Sequence, residues 1–496
     1  MAKPWIDLYR RLQAARLIEG AEMHGDKRVI DSLTHDSRAV RPGGLFVAIR
    51  GETADGHQFI DKAVQNESIA VVCEVMPEEA SRRFPGVAFA LVSDSRAALA
   101  VLAAEFFDDP SLELELTAVT GTNGKSTTAH LFWSVLTATR GTSGLLGTIE
   151  YRFGTSAEPS VHTTPDALEL HRMLRRMRLY GCAACALEVS SHALAQQRTR
   201  SIDFDAAIFT NLTLDHTDYH GTFEDYRSTK KLLFDDLKSD AVAVYNADDV
   251  SGRYMVSSTA ARTLSYGEGS GADVRLCILD SDLCGLRLRL DGQSRRFRLV
   301  GRFNAWNLAA AYAAARGLGY EANATLDALE VVPAPKGRLE QFVFGDGTRV
   351  IVDYAHTPDA LEKVLSTIRA ATPEKRALWC LFGCGGERDR QKRPLMGRVA
   401  ERLSDRVIVT RDNSRTEPQS RIEADIRRGM RHPERAEWIA DRRRAIRLAA
   451  RKAAPGDVVL LAGKGHESFQ TIGTCRVPFD DRREACRAFQ HRGIPT

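Results

Sequence analysis

The chain has 496 residues, 43% of them hydrophobic and 27% charged, with 69 Lys and Arg against 65 Asp and Glu. That length suits about three domains with cores of their own, and the composition excludes a disordered or fibrous protein. A net charge of +4 is too small for a nucleic-acid groove, so any positive field is local and suits a phosphorylated small molecule.

Nine cysteines, scattered and odd in number, argue for a reducing compartment without disulfides. Residues 1–5 lack the profile of a signal peptide. No run approaches the roughly 18 apolar residues of a membrane span, so a cytoplasmic protein without membrane insertion is expected.

Residues 1–110 read as a small α/β domain. Gly43–Ile49 is turn then strand, Phe59–Val64 helix and Ile69–Cys73 strand. Ser32–Arg38 is a loop rich in hydroxyls and charge, equally readable as a capped turn or a binding segment. Asp108–Ser111 is a boundary, because the residue before Pro110 is pushed out of helix.

A second domain, 111–335, opens on Thr120–Gly121–Thr122–Asn123–Gly124–Lys125–Ser126–Thr127. Alternating residues before it predict a strand, and helically spaced apolar residues after it predict a helix. A glycine-rich turn there gathers backbone N–H groups at a helix N-terminus, where phosphate is favoured. Lys125 would reach the terminal phosphates and the Ser126 hydroxyl would hold Mg²⁺. Val119 stands where the general pattern has glycine, so the loop is a shortened form. Further strands are predicted at 186–189, 206–210 and 241–245, with helices between them and a largely parallel sheet. Cys182 and Cys185 lie in small-residue strand sequence and read as packing, as do Cys380 and Cys384. Glu188 ends a strand, where it serves either as a metal ligand or as a salt-bridged terminus. Asp215 and His216, in a polar run after another strand, read as functional.

Residues 331–338 form a second linker, with two prolines and a glycine. The third domain, 336–496, carries predicted strands at 350–353, 378–382, 406–410 and 457–462, each followed by a polar or glycine-rich loop of the kind that binds ligands in open sheets. The Arg-rich stretch from Arg442 to Arg451 reads as a helix with a solvated basic face.

GTNGKST, HTTPD, EVSSHAL, FTNLTLDHTDYHG, GRFNAWN, DYAHTPDALEK, FGCGGERDRQKRPLMG, DNSRTEP and GKGHE, in this order over essentially the whole chain, resemble the Mur ligase family. These are the ATP-dependent amide-forming enzymes of peptidoglycan precursor synthesis. The resemblance implies an N-terminal α/β domain for the UDP-linked substrate, a central P-loop ATPase domain with a mostly parallel sheet and a C-terminal Rossmann-like domain. It implies ATP binding by Gly121, Thr122, Asn123, Gly124, Lys125, Ser126 and Thr127, with Asn304, Arg338, Asp353 and His356. It makes Ser126, Glu188 and His216 magnesium ligands, and Lys230 a carbamylated lysine whose anionic end joins them, where a bare ammonium would be repelled. Lys125, Lys230, Glu188 and His216 are then the catalytic set.

The same resemblance places UDP-N-acetylmuramoyl-L-alanyl-D-glutamate against Ser37, Thr163, Thr164, Ser190, Gln196 and Arg198. His35 lies where relatives often carry an apolar residue, and no contact is carried onto it. The incoming amino acid falls to Arg388, Asp412, Asn413, Ser414, Arg415, Gly463 and Glu467. In the branch that takes meso-diaminopimelate the motif is Asp-Asn-Pro-Arg, whereas lysine-adding relatives lack its arginine. Arg415 is present here and suits the distal carboxylate that lysine lacks. Ser414 replaces the proline and leaves φ unlocked. The implied reaction phosphorylates the D-glutamate side chain and transfers it to the amine of diaminopimelate, in a monomer. L-Lysine addition and folylpolyglutamate synthesis are the alternatives.

Overall fold

The computed structural model describes residues 2–22, 28–51, 54–215 and 217–493. They form two compact units, Met1–Val274 with Ala310–Thr325, and Arg275–Ala309 with Leu326–Thr496.

The first unit opens with a five-stranded sheet in the order Ile18–Glu22, Ala88–Val92, Ser68–Cys73, Gly44–Val47, Ser32–Thr34. All pairings but the first are parallel. Continuous apolar strands such as Gly44–Val47 are the signature of a sheet covered on both faces. Leu45 and Val47 pack on Trp5, Leu8 and Leu12 of the helix Trp5–Ala14, and Phe46 on the opposite face packs with Ile60 and Ala63. The helix expected at 59–64 runs Ile60–Gln65, after a 3₁₀ turn capped by Asp55. At the expected boundary Asp108 and Asp109 take left-handed φ of 63° and 44°, which stops the helix Ser95–Phe106.

A second sheet in this unit runs Ser156–Pro159, Glu150–Phe153, Ser143–Leu146, Ala184–Glu188, Glu115–Thr120, Ala206–Phe209, Val242–Asn246, Arg262–Gly267. From Ser143–Leu146 onward the pairings are parallel. The central strand Glu115–Thr120 is flanked by Ala184–Glu188 and Ala206–Phe209, in registers that set Glu188 beside Val119 and Phe209 beside Thr120. Three loops therefore leave one edge of the sheet together. Cys182 and Cys185 lie in the core beneath, with their thiol pKa values pushed up by burial.

The second unit contains an antiparallel meander over 275–297 that the sequence reading did not foresee. Its inward leucines (276, 286, 288, 290) alternate with outward arginines at 275, 287 and 289. Its main sheet is six-stranded, ordered Glu340–Val343, Arg349–Asp353, Val458–Ala462, Leu378–Phe382, Arg406–Thr410, Glu437–Ile439, and parallel except at the first pair. Separate apolar clusters cover its two faces. Cys380 and Cys384 are core thiols whose pKa burial pushes up to about 12.

The Arg442–Lys452 helix corrects one expectation. Arg444 is solvated, but Arg442 is 1% exposed. Its Nε and one terminal nitrogen each donate to the Asp481 carboxylate at 2.7 Å. Periodicity marks a helix face and cannot reveal the carboxylate waiting on another helix. No helix among the described residues is long and apolar enough to cross a membrane.

Candidate active site

The phosphate loop lies between the strand Glu115–Thr120 and the helix Lys125–Arg140. Gly121 has φ 146°, and a Cβ there would sit 2.0 Å from Thr210 Oγ1. Only glycine fits that approach. The neighbouring loop pins the turn: Thr122 N donates to Asn211 O at 2.8 Å, Asn123 N to Asn211 Oδ1 at 3.0 Å, and Thr210 Oγ1 to Asn123 O at 2.7 Å. Lys125 Nζ donates to the carbonyls of Gly121 and Thr122, both at 2.9 Å. Val119 is a fully buried strand residue, which is why the loop is short: the strand continues through the position where a longer loop would already have begun.

Glu188, 2% exposed, stands beside this loop. Its carboxylate accepts from Ser126 Oγ at 2.9 Å, from Thr148 N at 2.7 Å and from Thr148 Oγ1 at 3.0 Å. Lys230, 1% exposed, donates to Gly121 O at 3.0 Å with its Nζ 4.7 Å from the Tyr226 ring centre. Burial, and then the charge of Lys125, hold its amine well below the usual lysine pKa. His216 lies outside the described residues. Among the described residues no group of three or more His, Cys, Asp or Glu is disposed to hold a metal. The hydroxyl of Ser126 and the carboxylate of Glu188 are oxygen donors of the kind Mg²⁺ takes. Lys230 fits that set only if its amine is converted to an anionic group.

A cavity of about 710 Å³ also lies in this unit, walled by Ser37, Asp36, Arg38 and His35 on one side and by His162, Gln196 and Arg198 on the other. Arg198 is fixed by donating to Thr164 O at 2.7 Å and to Gln196 Oε1. From this wall a line of hydroxyls leads to Glu188. Ser190 N donates to Thr164 Oγ1 at 3.1 Å, Thr164 Oγ1 to Glu188 O at 2.8 Å, and Thr163 Oγ1 meets Thr148 Oγ1 at 3.0 Å. Of the six residues expected at the UDP-linked substrate, Ser37, Gln196 and Arg198 line the cavity, and Thr163, Thr164 and Ser190 belong to the hydrogen-bonded line behind it. The sequence reading left out His35, Thr148 and His162. Thr148 carried no signal, being a lone threonine after a glycine.

In the second unit Asp353, buried at a strand end, accepts from Leu339 N and Ala355 N at 2.8 Å each. Burial pushes its pKa up, against the pull of Arg338. Arg338 lies over the Tyr354 ring, and His356 Nδ1 meets Tyr354 O at 3.0 Å. Asn304, near the start of the helix Phe303–Gly317, donates to Val300 O at 2.7 Å.

The loops after Leu378–Phe382, Arg406–Thr410 and Val458–Ala462 carry the residues expected at the amino acid. Lys464, fully buried, was missed, although it lies inside the GKGHE motif. Its Nζ donates to Glu467 Oε2 at 2.7 Å and Asn413 Oδ1 at 3.3 Å, with Asp412 Oδ1 at 3.7 Å. Asn413 Nδ2 also donates to Glu467, at 3.0 Å. Arg415 has a left-handed φ of 49°. Its backbone is fixed by bonds from its N to Thr471 O at 3.1 Å and from Gly473 N to its O at 2.7 Å. Its guanidinium donates to Gly386 O at 2.7 Å and pairs with no carboxylate among the described residues. Gly463 and Arg388 sit on the flanking loops, Gly463 with φ 107° and Arg388 exposed.

Three family descriptions match in chain order: Mur ligase family, catalytic domain, over residues 29–107; Mur ligase middle domain over 119–315; and Mur ligase, glutamate ligase domain, over 337–465. The chain belongs to the Mur ligase family. This Mur ligase is 41% identical over 455 residues to a UDP-N-acetylmuramoyl-L-alanyl-D-glutamate–2,6-diaminopimelate ligase of Cytophaga hutchinsonii, covering 91% of this chain and 93% of that one. It is 43% identical over 480 residues to the protein of the same name from Chlorobaculum tepidum, covering 94% of each. A solved structure under that name aligns with TM-score 0.70 and 33% identity over 95% of this chain and 97% of its own. Folylpolyglutamate synthase of Mycobacterium tuberculosis shares the fold, with TM-score 0.56 and 17% identity over 73% of this chain and 91% of its own.

Proposed function

We infer that this Mur ligase joins 2,6-diaminopimelate, in its meso form, to the D-glutamate side-chain carboxylate of UDP-N-acetylmuramoyl-L-alanyl-D-glutamate, with cleavage of ATP. Relatives named for this reaction match over nearly their full length. The observation that carries the choice of amino acid is Arg415, a partly buried guanidinium held in place yet paired with no carboxylate among the described residues. Diaminopimelate brings that carboxylate; lysine does not.

The phosphates of ATP lie on the loop N–H groups of Gly121–Thr127, with Lys125 turning from the loop carbonyls to the γ-phosphate and offsetting its charge. The resemblance to the family gives Asn304, Arg338, Asp353 and His356 a part in nucleotide binding. The UDP-linked substrate fills the 710 Å³ cavity, and the line of hydroxyls guides its glutamate toward Glu188. A glutamate oxygen attacks the γ-phosphorus, ADP leaves, and the acyl phosphate formed is attacked by the amine of diaminopimelate with loss of phosphate. Ser126, Glu188 and His216 would hold Mg²⁺, which supplies positive charge to the phosphate oxygens when bound. Burial lowers the pKa of Lys230 and so favours the neutral, nucleophilic amine that carbamylation requires.

The test is release of phosphate from ATP. It should need both UDP-N-acetylmuramoyl-L-alanyl-D-glutamate and diaminopimelate. No stimulation by that nucleotide substrate overturns the reading, and efficient use of lysine overturns the choice of amino acid.

A further inference from the structure

Arg388 and Arg415 sit on two different loops, and one buried guanidinium ties those loops together. Arg393, on the helix Lys392–Leu403, has no exposed surface. It donates to both oxygens of Glu417, at 2.8 and 2.7 Å, to Gly385 O at 3.1 Å and to Asp425 Oδ2 at 2.9 Å. The same Glu417 carboxylate accepts from Glu387 N at 2.9 Å, and Glu417 N donates to Ser414 O at 3.2 Å. One ion pair therefore grips the backbone on either side of Gly386 and also the turn that carries Ser414 and Arg415.

The grip has something to hold. Glu387 and Arg415, neither a glycine, have left-handed φ of 53° and 49°, a conformation that persists only where the surroundings over-determine it. Gly386 N donates to Asn413 O at 2.9 Å, and a Cβ on Gly386 would fall 1.9 Å from Ser414 O. The loops are in close backbone contact, and Ser414 gives that turn none of the φ restraint a proline would.

We propose that Arg393 and Glu417 are positioning residues for the amino-acid substrate: they set the spacing of Arg388 and Arg415 and so the preference for an amino acid with a distal carboxylate. Being wholly buried, Arg393 acts only through the loops. Its rigid fork bonds two carboxylate oxygens and a carbonyl at once, which a lysine cannot do. This inference rests on the reading of diaminopimelate as substrate.

The experiment compares the full-length chain with Glu417→Gln and Arg393→Lys in steady-state assays with diaminopimelate and with lysine, alongside thermal denaturation. In both variants KM for diaminopimelate should rise about tenfold or more while kcat stays within about threefold. KM for ATP should be unchanged, and the preference over lysine should fall in step with the rise in KM for diaminopimelate. If Arg393→Lys fails to fold, Glu417→Gln decides, since it keeps shape and one acceptor oxygen. Variants that melt earlier yet keep KM and preference show a merely structural pair and overturn the inference. A native chain that ignores diaminopimelate overturns the functional reading first, and this inference with it.

Discussion

Lys230 donates to the carbonyl of Gly121 at 3.0 Å, and Lys125 donates to that same oxygen at 2.9 Å. Two amines, one of them wholly buried, thus converge on the backbone of the phosphate loop. Neither loop nor helix periodicity demands this, and it sets Lys230 directly against the phosphate loop.

Lys230→Ala should lower turnover by at least about 100-fold if the residue supplies an anionic ligand, and short-chain carboxylates should restore part of it. Near-normal turnover in the variant would end that role. The pH dependence of stability gives a second check in carbonate-free buffer. The folded pKa lies below the ordinary 10.5, so the unfolded chain binds the extra proton between the two values. That penalty grows as pH falls from 10.5 toward the folded value. Lys230→Met should therefore be more stable than the native chain at neutral pH, with a flatter rise on the alkaline side.

Glu188→Gln keeps the volume and the contacts to Thr148 but removes the negative charge beside Ser126. Turnover should fall by about 10²–10³ with little change in the melting temperature, as for loss of a group acting on charge in the transition state. Phosphate-release assays with saturating substrates measure it.

Arg415→Ala should abolish discrimination rather than all activity. The preference for diaminopimelate over lysine should drop by about 2–5 kcal/mol, as when one partner of a buried charge pair is removed. Product formation with each amino acid at equal concentration is the measurement. An unchanged ratio would place the distal carboxylate elsewhere.

Lys464→Met leaves Glu467 and Asp412 without their buried cation. Destabilisation of about 3–5 kcal/mol is expected, more than any loss of packing, because the remaining charges stay desolvated. Denaturant titration should show it, and Lys464→Met/Glu467→Gln should recover part of it.

Glu417 is held at a pKa of about 2 by its hydrogen bonds with Arg393, against 4.5 for an ordinary glutamate. A depressed carboxylate stabilises the fold above the unfolded value and loses that contribution as pH falls through the folded one. Between pH 4.5 and 2 the native chain should lose at most about 3 kcal/mol from this group. Glu417→Gln should flatten that part of the curve, and an unchanged acid slope would show that the pair carries no such linkage.

What the sequence determined by itself was local. A glycine-rich turn between alternating and helical patterns placed the phosphate loop, and apolar runs bounded by polar loops placed the parallel strands, because periodicity and turn chemistry are properties of neighbouring residues. The motifs named Glu188, Lys230 and Arg415. Tertiary structure decided what those residues touch. Strand order brought Glu188 to Ser126, 62 positions away in the chain. A helix beyond the glycine loop supplied Arg393 to Glu417, and Asp481 turned Arg442 from a surface charge into a buried one. Such partners are distant in sequence and leave no periodic trace; only packing, which removes water from both charges at once, makes each necessary to the other.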